Sequence, residues 1–149
     1  MEPHVSIQAF LQFLTDPPAD RVERGLALEQ HLDRLAWVRH EMESAFDGRD
    51  LPDPPAKDYA ATRATLESRF PGFGWYHTVS KVGQEVREAE VGYGDALDDL
   101  ADIQGDLEEF LWRWEHNSHD DALFHLRTLM PHWMGHVRGL QRFLGDWLW

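Results

Sequence analysis

Two groups of residues near the C-terminus carry side chains that could bind a metal ion or exchange protons. The first group is a series of aspartates spaced by three or four positions: Asp95, Asp99, Asp102 and Asp106. The second group is a series of histidines: His125, His132 and His136. Carboxylate oxygens and neutral imidazole nitrogens are common ligands of zinc, manganese and iron. His132 and His136 are four positions apart, so on a helix both rings can reach one ion.

The residues around both groups predict helices that would position them. Residues 94–114 have apolar side chains at helical spacing, and at about 100° per residue the four aspartates fall within roughly 60° of one another. A second helix, beginning near Asp120 or Asp121, would place the three histidines within roughly 40°. In both helices the polar stripe precedes the apolar face in the same rotational sense. An antiparallel helical hairpin would therefore bring the two stripes to one edge.

The register of this hairpin can be predicted from its turn. A turn centred near residues 116–120 pairs positions whose numbers sum to about 235. That register sets Asp102 beside His132 or Trp133, and Asp99 beside His136. Pro131 lies immediately before His132-Trp133, and it should kink or split the second helix because it has no backbone N–H to donate.

Two interpretations of the shared edge remain open. In one, Asp99, Asp102, His132 and His136 bind a divalent metal, and the protein is a metal-binding protein or a hydrolase. The sequence lacks the HExxH motif and the paired Glu-x-x-His motifs of di-iron bundles. In the other, the histidines hydrogen-bond or ion-pair with the aspartates and fix the hairpin register. The second interpretation favours a non-catalytic binding or interaction module, whose partner would be a protein or a small molecule.

The remaining residues predict one all-α domain over residues 1–149, an irregular bundle of about five helices. Helices are expected over residues 5–14, from Pro17 to about Phe46, and from Asp53-Pro54 to about Phe70, where Tyr59 would be buried. Residues 73–76 are expected to be irregular and to pack across helix ends. Residues 79–91 read as a loop or a short helix. Near the C-terminus, Trp147 and Trp149 either cap the core or form a self-association patch.

Composition excludes several classes of partner. The formal net charge is −13, with only two lysines, which argues against a nonspecific nucleic-acid surface or an anionic-membrane surface. There are no cysteines, so disulfides and thiolate chemistry are excluded. No apolar run approaches the roughly 20 residues that span a bilayer. The N-terminal residues lack the pattern of a signal peptide, from which a cytoplasmic location is expected.

An acidic pattern is also similar to that of a known enzyme class. The all-α nucleotide pyrophosphohydrolases of the MazG type hold magnesium with a Glu-x-x-Glu followed by a Glu-x-x-Asp. Here Glu85-x-x-Glu88 precedes Asp99-x-x-Asp102. The spacing between the two pairs is short for that class, and basic residues for the phosphates are scarce. The resemblance gives a third functional hypothesis, after the binding module and the metal site.

The C-terminal half resembles the bacterial domain-of-unknown-function family 5063. The residues that carry the resemblance are 94–103 with Asp106-Leu107, Ala122-Leu123, His132-Trp133-x-x-His136, the region of Leu140 and the segment 69–76. The resemblance implies a small all-α fold and a bacterial protein, with no established activity. It also marks a set of candidate functional residues, without assigning them a role: Asp98, Asp99, Asp102, Asp106, His132, Trp133 and His136. Pro131 departs from the family pattern.

Overall fold

The computed structural model describes residues 2–43, 45–83 and 85–149, and this part of the chain contains six α-helices and one two-stranded sheet. The helices are α1 (Pro3–Thr15), α2 (Arg21–Val38), α3 (Tyr59–Arg69), α4 (Ala96–His116), α5 (His119–Thr128) and α6 (Met130–Trp147). The strands are β1 (Trp75–Ser80) and β2 (Glu90–Asp95). The mainly helical fold predicted from the sequence is confirmed. Among the described residues, no helix combines the length and the apolarity that a membrane crossing needs.

Helix α4 lies at the centre of the fold and contacts α1, α3, α5 and α6. Its apolar residues recur every three or four positions, and Leu100, Ile103, Leu107 and Phe110 are all buried. Asp95 is the N-cap of α4, since its carboxylate accepts a hydrogen bond from the Leu97 N–H at 3.0 Å. Asp99 and Asp106 are buried and Asp102 is partly buried, so the aspartate stripe of α4 faces neighbouring elements and not open solvent.

The second arm of the hairpin is divided into α5 and α6 at Pro131, as the proline predicts. Pro131 occupies the first turn of α6, where a backbone N–H would have no partner within the helix. Trp133 of α6 connects α6 to α5. Its ring is fully buried, and its Nε1–H donates to the Leu126 carbonyl of α5 at 3.0 Å. The division therefore leaves His132 and His136 together on α6, while His125 lies on α5.

The β-hairpin corrects the expectation of an all-α fold. Residues 73–76 were expected to be irregular and 79–91 to form a loop or short helix, yet β1 and β2 pair antiparallel from Trp75–Asp95 to Ser80–Glu90. A short 3-10 turn, Val86–Glu88, lies in the connecting loop, and Gln84 falls outside the described residues. The apolar side chains of the strands, Trp75, Val79, Val91 and Tyr93, are exposed, so neither strand buries the apolar stripe by which a sequence pattern identifies a strand.

Three predicted helix boundaries are also wrong. Helix α2 begins at Arg21, where Asp20 is the N-cap, and not at Pro17. Helix α2 ends at Val38, well before Phe46, and α3 begins at Tyr59, not near Pro54. The start of α3 is set by Asp58, whose carboxylate accepts a hydrogen bond from the Ala61 N–H at 3.0 Å. Tyr59 therefore lies in the first turn and is 41% exposed instead of buried. The extended segment before α3 carries Lys57, which reaches the edge of α4.

Candidate metal centre

Three aspartates of α4 and two histidines of α6 meet along the edge of the hairpin, and we call this group the Asp–His cluster: Asp99, Asp102, Asp106, His132 and His136. The Nδ1 atom of His136 lies 2.6 Å from Asp99 Oδ1. The Nδ1 atom of His132 lies 2.7 Å from Asp106 Oδ2. Both of these carboxylates are buried. An ionised carboxylate only accepts hydrogen bonds, so the Nδ1 atom of each ring carries a proton.

This arrangement turns the other nitrogen of each ring toward the same point. The Nε2 atoms of His132 and His136 are 3.3 Å apart. Asp102 Oδ2 lies 3.2 Å from the Nε2 of His136 and 3.9 Å from that of His132. With both Nδ1 atoms protonated, two neutral rings would point their lone pairs at each other, which is repulsive. The geometry therefore calls for a cation at this point, either a proton or a metal ion.

Residues outside the hairpin hold the two buried carboxylates. The Tyr76 hydroxyl of β1 donates to Asp99 Oδ2 at 2.6 Å, so both oxygens of Asp99 are engaged. The Lys57 ammonium donates to Asp106 Oδ1 at 3.2 Å and lies 3.3 Å from Glu109 Oε2. Two hydrogen-bonded series result, Tyr76–Asp99–His136 and Lys57–Asp106–His132, and we call each of them a relay. The outer residue of each relay comes from a different part of the chain. Such partners fix the ring orientation and tautomer of a metal-binding histidine.

Two glycines allow Tyr76 to reach the cluster. The Tyr76 ring lies against Gly94 of β2, and its hydroxyl lies against Gly139 of α6. A Cβ atom at either glycine would clash with the tyrosine. Because Gly139 is three residues after His136, the same helix that supplies the histidine also supplies the space for its outer partner.

The electrostatics of the cluster agree with this geometry. The hydrogen bond to Asp99 is the main reason that the pKa of His136 is raised, against an opposing effect of burial. Burial, followed by repulsion from Asp98, raises the pKa of the Asp102 carboxyl. Burial and then the hydrogen bond to Asp99 raise the pKa of Tyr76, so its hydroxyl keeps the proton that it donates. The cluster therefore favours an added positive charge.

Other residues singled out from the sequence lie outside the cluster. Asp95 caps α4 and pairs with Arg63 at 2.7 Å, and Asp98 accepts a hydrogen bond from the Tyr59 hydroxyl. His125 pairs with Asp121 of its own helix at 3.4 Å. Trp133 belongs to the core and not to the edge. These contacts give the four residues structural roles.

The Glu85-x-x-Glu88 pattern also lies elsewhere. Glu85 and Glu88 are exposed in the loop that joins β1 and β2, while Asp99 and Asp102 are on α4. The two acidic pairs therefore do not face each other from adjoining helices, which is the arrangement that the MazG-type pattern calls for.

Sequence reasoning missed Tyr76 and Lys57 as members of the site. Tyr76 belongs to the segment 73–76, which was expected to pack across helix ends. Lys57 lies in an irregular, proline-rich segment. Neither residue has a spacing relation to the aspartates or histidines. The only signal in the sequence is that Lys57 is one of two lysines in an acidic chain.

Comparison with known proteins identifies a related fold. No protein-family model matches the chain, and no curated protein matches it. Among solved structures, it is similar to protein BF1032 from Bacteroides fragilis, a structural-genomics target, with a TM-score of 0.77 and 17% sequence identity. The match covers 99% of this chain and 93% of that one. At this identity the likeness shows the fold alone, so membership of family 5063 stays a prediction.

Proposed function

We propose that this protein binds a divalent transition metal, with zinc as the preferred ion, through His132 Nε2, His136 Nε2 and the Asp102 carboxylate. The observation that carries the proposal is the 3.3 Å separation of two Nε2 atoms whose rings are each fixed by a buried carboxylate. Neutral imidazoles with protonated Nδ1 atoms present their Nε2 lone pairs to a metal. The pairing of a ligand histidine with a carboxylate is common around zinc.

The distances favour a tetrahedral ion. Zinc–nitrogen bonds of about 2.0–2.1 Å at tetrahedral angles place two ligand nitrogens about 3.3 Å apart. The separation of 3.2 Å between Asp102 Oδ2 and His136 Nε2 also fits one edge of such a tetrahedron. The separation of 3.9 Å between Asp102 Oδ2 and His132 Nε2 is longer than such an edge.

The proposed ligand set is smaller than the one expected from the sequence. Asp99 was expected to bind the metal together with Asp102, His132 and His136. Its two oxygens accept hydrogen bonds from His136 and Tyr76, so we assign Asp99 to the support of His136. Asp106 supports His132 in the same way.

The second candidate function is a non-catalytic interaction module, in which the cluster only fixes the register of the helical hairpin. The electrostatics of His136 favour it. The raised pKa of His136 favours an imidazolium that donates to both Asp99 and Asp102 and satisfies the cluster without a metal. In that case a partner would bind elsewhere. Trp149, which is 93% exposed, is a candidate contact for self-association, whereas Trp147 stacks beneath the Arg21 guanidinium at 3.9 Å.

Elemental analysis of protein purified without an affinity tag separates the two functions. Near-stoichiometric zinc is expected in the wild-type protein and in His125→Ala, which removes a histidine outside the cluster. The His132→Ala/His136→Ala variant should contain none. If wild-type protein remains free of metal after dialysis against zinc, while the double variant is merely less stable, the metal proposal is wrong and the cluster is structural.

A further inference from the structure

At the proposed metal site, the described residues supply three ligands, which is fewer than zinc takes. Within the described ranges, 2–43, 45–83 and 85–149, the side chains that could share one ion at this point are Asp102, His132 and His136. Zinc takes four ligands, and sites with three protein ligands fill the fourth position with water or substrate. A fourth ligand from outside the chain is therefore expected.

The cluster is also accessible from solvent. The His132 side chain is 50% exposed and that of Asp102 is 27% exposed. Gly135, which precedes His136 on α6, is exposed, and a Cβ atom built there would have no heavy atom within 4 Å. Solvent therefore reaches the cluster at His132 and Asp102.

Charge limits what can occupy this position. Four carboxylates belong to the cluster or adjoin it, namely Asp98, Asp99, Asp102 and Asp106. The Lys57 ammonium lies against Asp106, and Tyr76 keeps its proton because its pKa is raised. Glu109 also contacts Lys57, but Arg113 offsets its charge at 3.1 Å. With a divalent ion bound, the balance of these groups is one negative charge. A phosphate group would be repelled, whereas an uncharged donor would not.

Granted the metal site proposed above, we propose that the ion keeps an open coordination position that takes an uncharged nitrogen or oxygen donor, such as an unprotonated amine, a neutral imidazole or an amide carbonyl. The surrounding carboxylates weaken the binding of phosphate esters and nucleotides at this position. The proposal gives the site a substrate class that differs from the nucleotides of the MazG-type hypothesis.

Cobalt substitution tests the proposal on the full chain. Co²⁺ bound at the site gives visible absorption bands that report its coordination. Imidazole or inorganic phosphate is then titrated into the cobalt-loaded protein at near-neutral pH. We expect imidazole to shift the bands saturably, and phosphate to require at least about tenfold higher concentration. Bands that imidazole leaves unchanged would show a closed site, and phosphate binding as tight as imidazole binding would refute the charge argument. Absence of cobalt bands would instead overturn the metal site itself.

A matched pair of variants tests the charge argument separately. Asp98→Asn removes a carboxylate that acts on Asp102 without changing any of the three ligands. Glu108→Gln removes the same charge from an exposed position on α4. We expect phosphate to bind cobalt-loaded Asp98→Asn about threefold more tightly than wild type, with imidazole binding unchanged. Glu108→Gln should match wild type, and an equal effect of both variants would show that only the net charge matters, which contradicts the proposal.

Discussion

At the scale of single residues, the organising feature is that each histidine of the cluster has one nitrogen committed to a buried carboxylate. This commitment fixes the tautomer and leaves the second nitrogen free for a cation. The outer partners, Tyr76 for Asp99 and Lys57 for Asp106, come from segments far from the hairpin in sequence. Metal affinity should therefore depend on residues that never touch the metal.

Substitution of Tyr76 tests this dependence. Tyr76→Phe removes the hydroxyl that donates to Asp99 and leaves the ring packed against Phe143. We expect zinc affinity to fall roughly tenfold, because Asp99 then holds His136 less firmly. A competition titration with a chromophoric chelator measures the change. Tyr93→Phe, on the same hairpin but 73% exposed, is the control and should leave the affinity unchanged. Equal affinities for Tyr76→Phe and wild type would show that the relay does not support the ligand.

Part of the cluster could be predicted from residue spacing alone. The pairing of Asp99 with His136 follows from helical periodicity and the antiparallel register, and the structure brings these two residues together. The predicted neighbour of His132, Asp102, lies 3.9 Å from its Nε2, and Asp106, one turn further along α4, contacts its Nδ1. Tyr76 and Lys57 could not be predicted, since their approach depends on how the β-hairpin and the irregular segment fold over α4.

At the scale of elements, α4 positions the cluster and Asp95 fixes where α4 begins. The Asp95 carboxylate caps the helix and also accepts from the Arg63 guanidinium of α3 at 2.7 Å. It is the last residue of β2 as well, so one side chain joins the hairpin, α3 and α4. Helical periodicity predicted α4. It did not predict the strand that precedes α4, because strand burial depends on what covers each face.

Removal of this cap should destabilise the fold. Asp95→Ala loses the hydrogen bond to the helix N-terminus and leaves Arg63 without its partner. We expect the free energy of unfolding to fall by about 1–3 kcal/mol, as measured by urea denaturation. Asp95→Asn keeps an oxygen that can accept from Leu97 and should lose about half as much. If the alanine and asparagine variants are equally stable, the cap contributes nothing and the ion pair accounts for the whole effect.

At the scale of the whole molecule, stability depends on pH through His31, which lies away from the cluster, as well as through His136. His31 of α2 packs against Phe13 with ring centroids 4.8 Å apart. Burial, and secondarily the Arg34 charge, lowers its pKa from the usual 6.5. The unfolded chain therefore takes up this proton at a higher pH than the folded protein does. The contribution of His31 to stability is present above pH 6.5 and is lost as the pH falls through the lowered value.

His31→Gln should make unfolding less sensitive to acid. The amide cannot take up a proton in this range, so the loss of unfolding free energy between about pH 7.5 and about pH 5 should be smaller than in wild type. Urea denaturation at the two pH values gives the difference within each protein, which cancels the packing cost of the substitution. His40→Gln, at an exposed position just after α2, is the control and should follow wild type. An unchanged acid sensitivity in His31→Gln would show that His31 does not contribute.

The mainly helical architecture could be predicted from the spacing of apolar residues, because the six helices of the described residues bury apolar faces in one core. The boundaries near residues 43–58 could not, since no apolar period marks where α2 stops, and the start of α3 depends on the Asp58 cap. The similarity to protein BF1032 extends over nearly the whole chain at 17% identity, so the same arrangement of helices is reached from a very different sequence.

The most direct test of the metal proposal is a crystal structure of zinc-loaded protein with an anomalous difference map at the zinc absorption edge. The proposal predicts a peak about 2.0–2.1 Å from the Nε2 atoms of both His132 and His136, with an Asp102 oxygen completing the protein ligands. Asp99 and Asp106 should remain on the Nδ1 atoms. A map with no peak at this point, in which the His136 ring still contacts Asp102 directly, would contradict the proposal and identify the cluster as a structural ion-pair network.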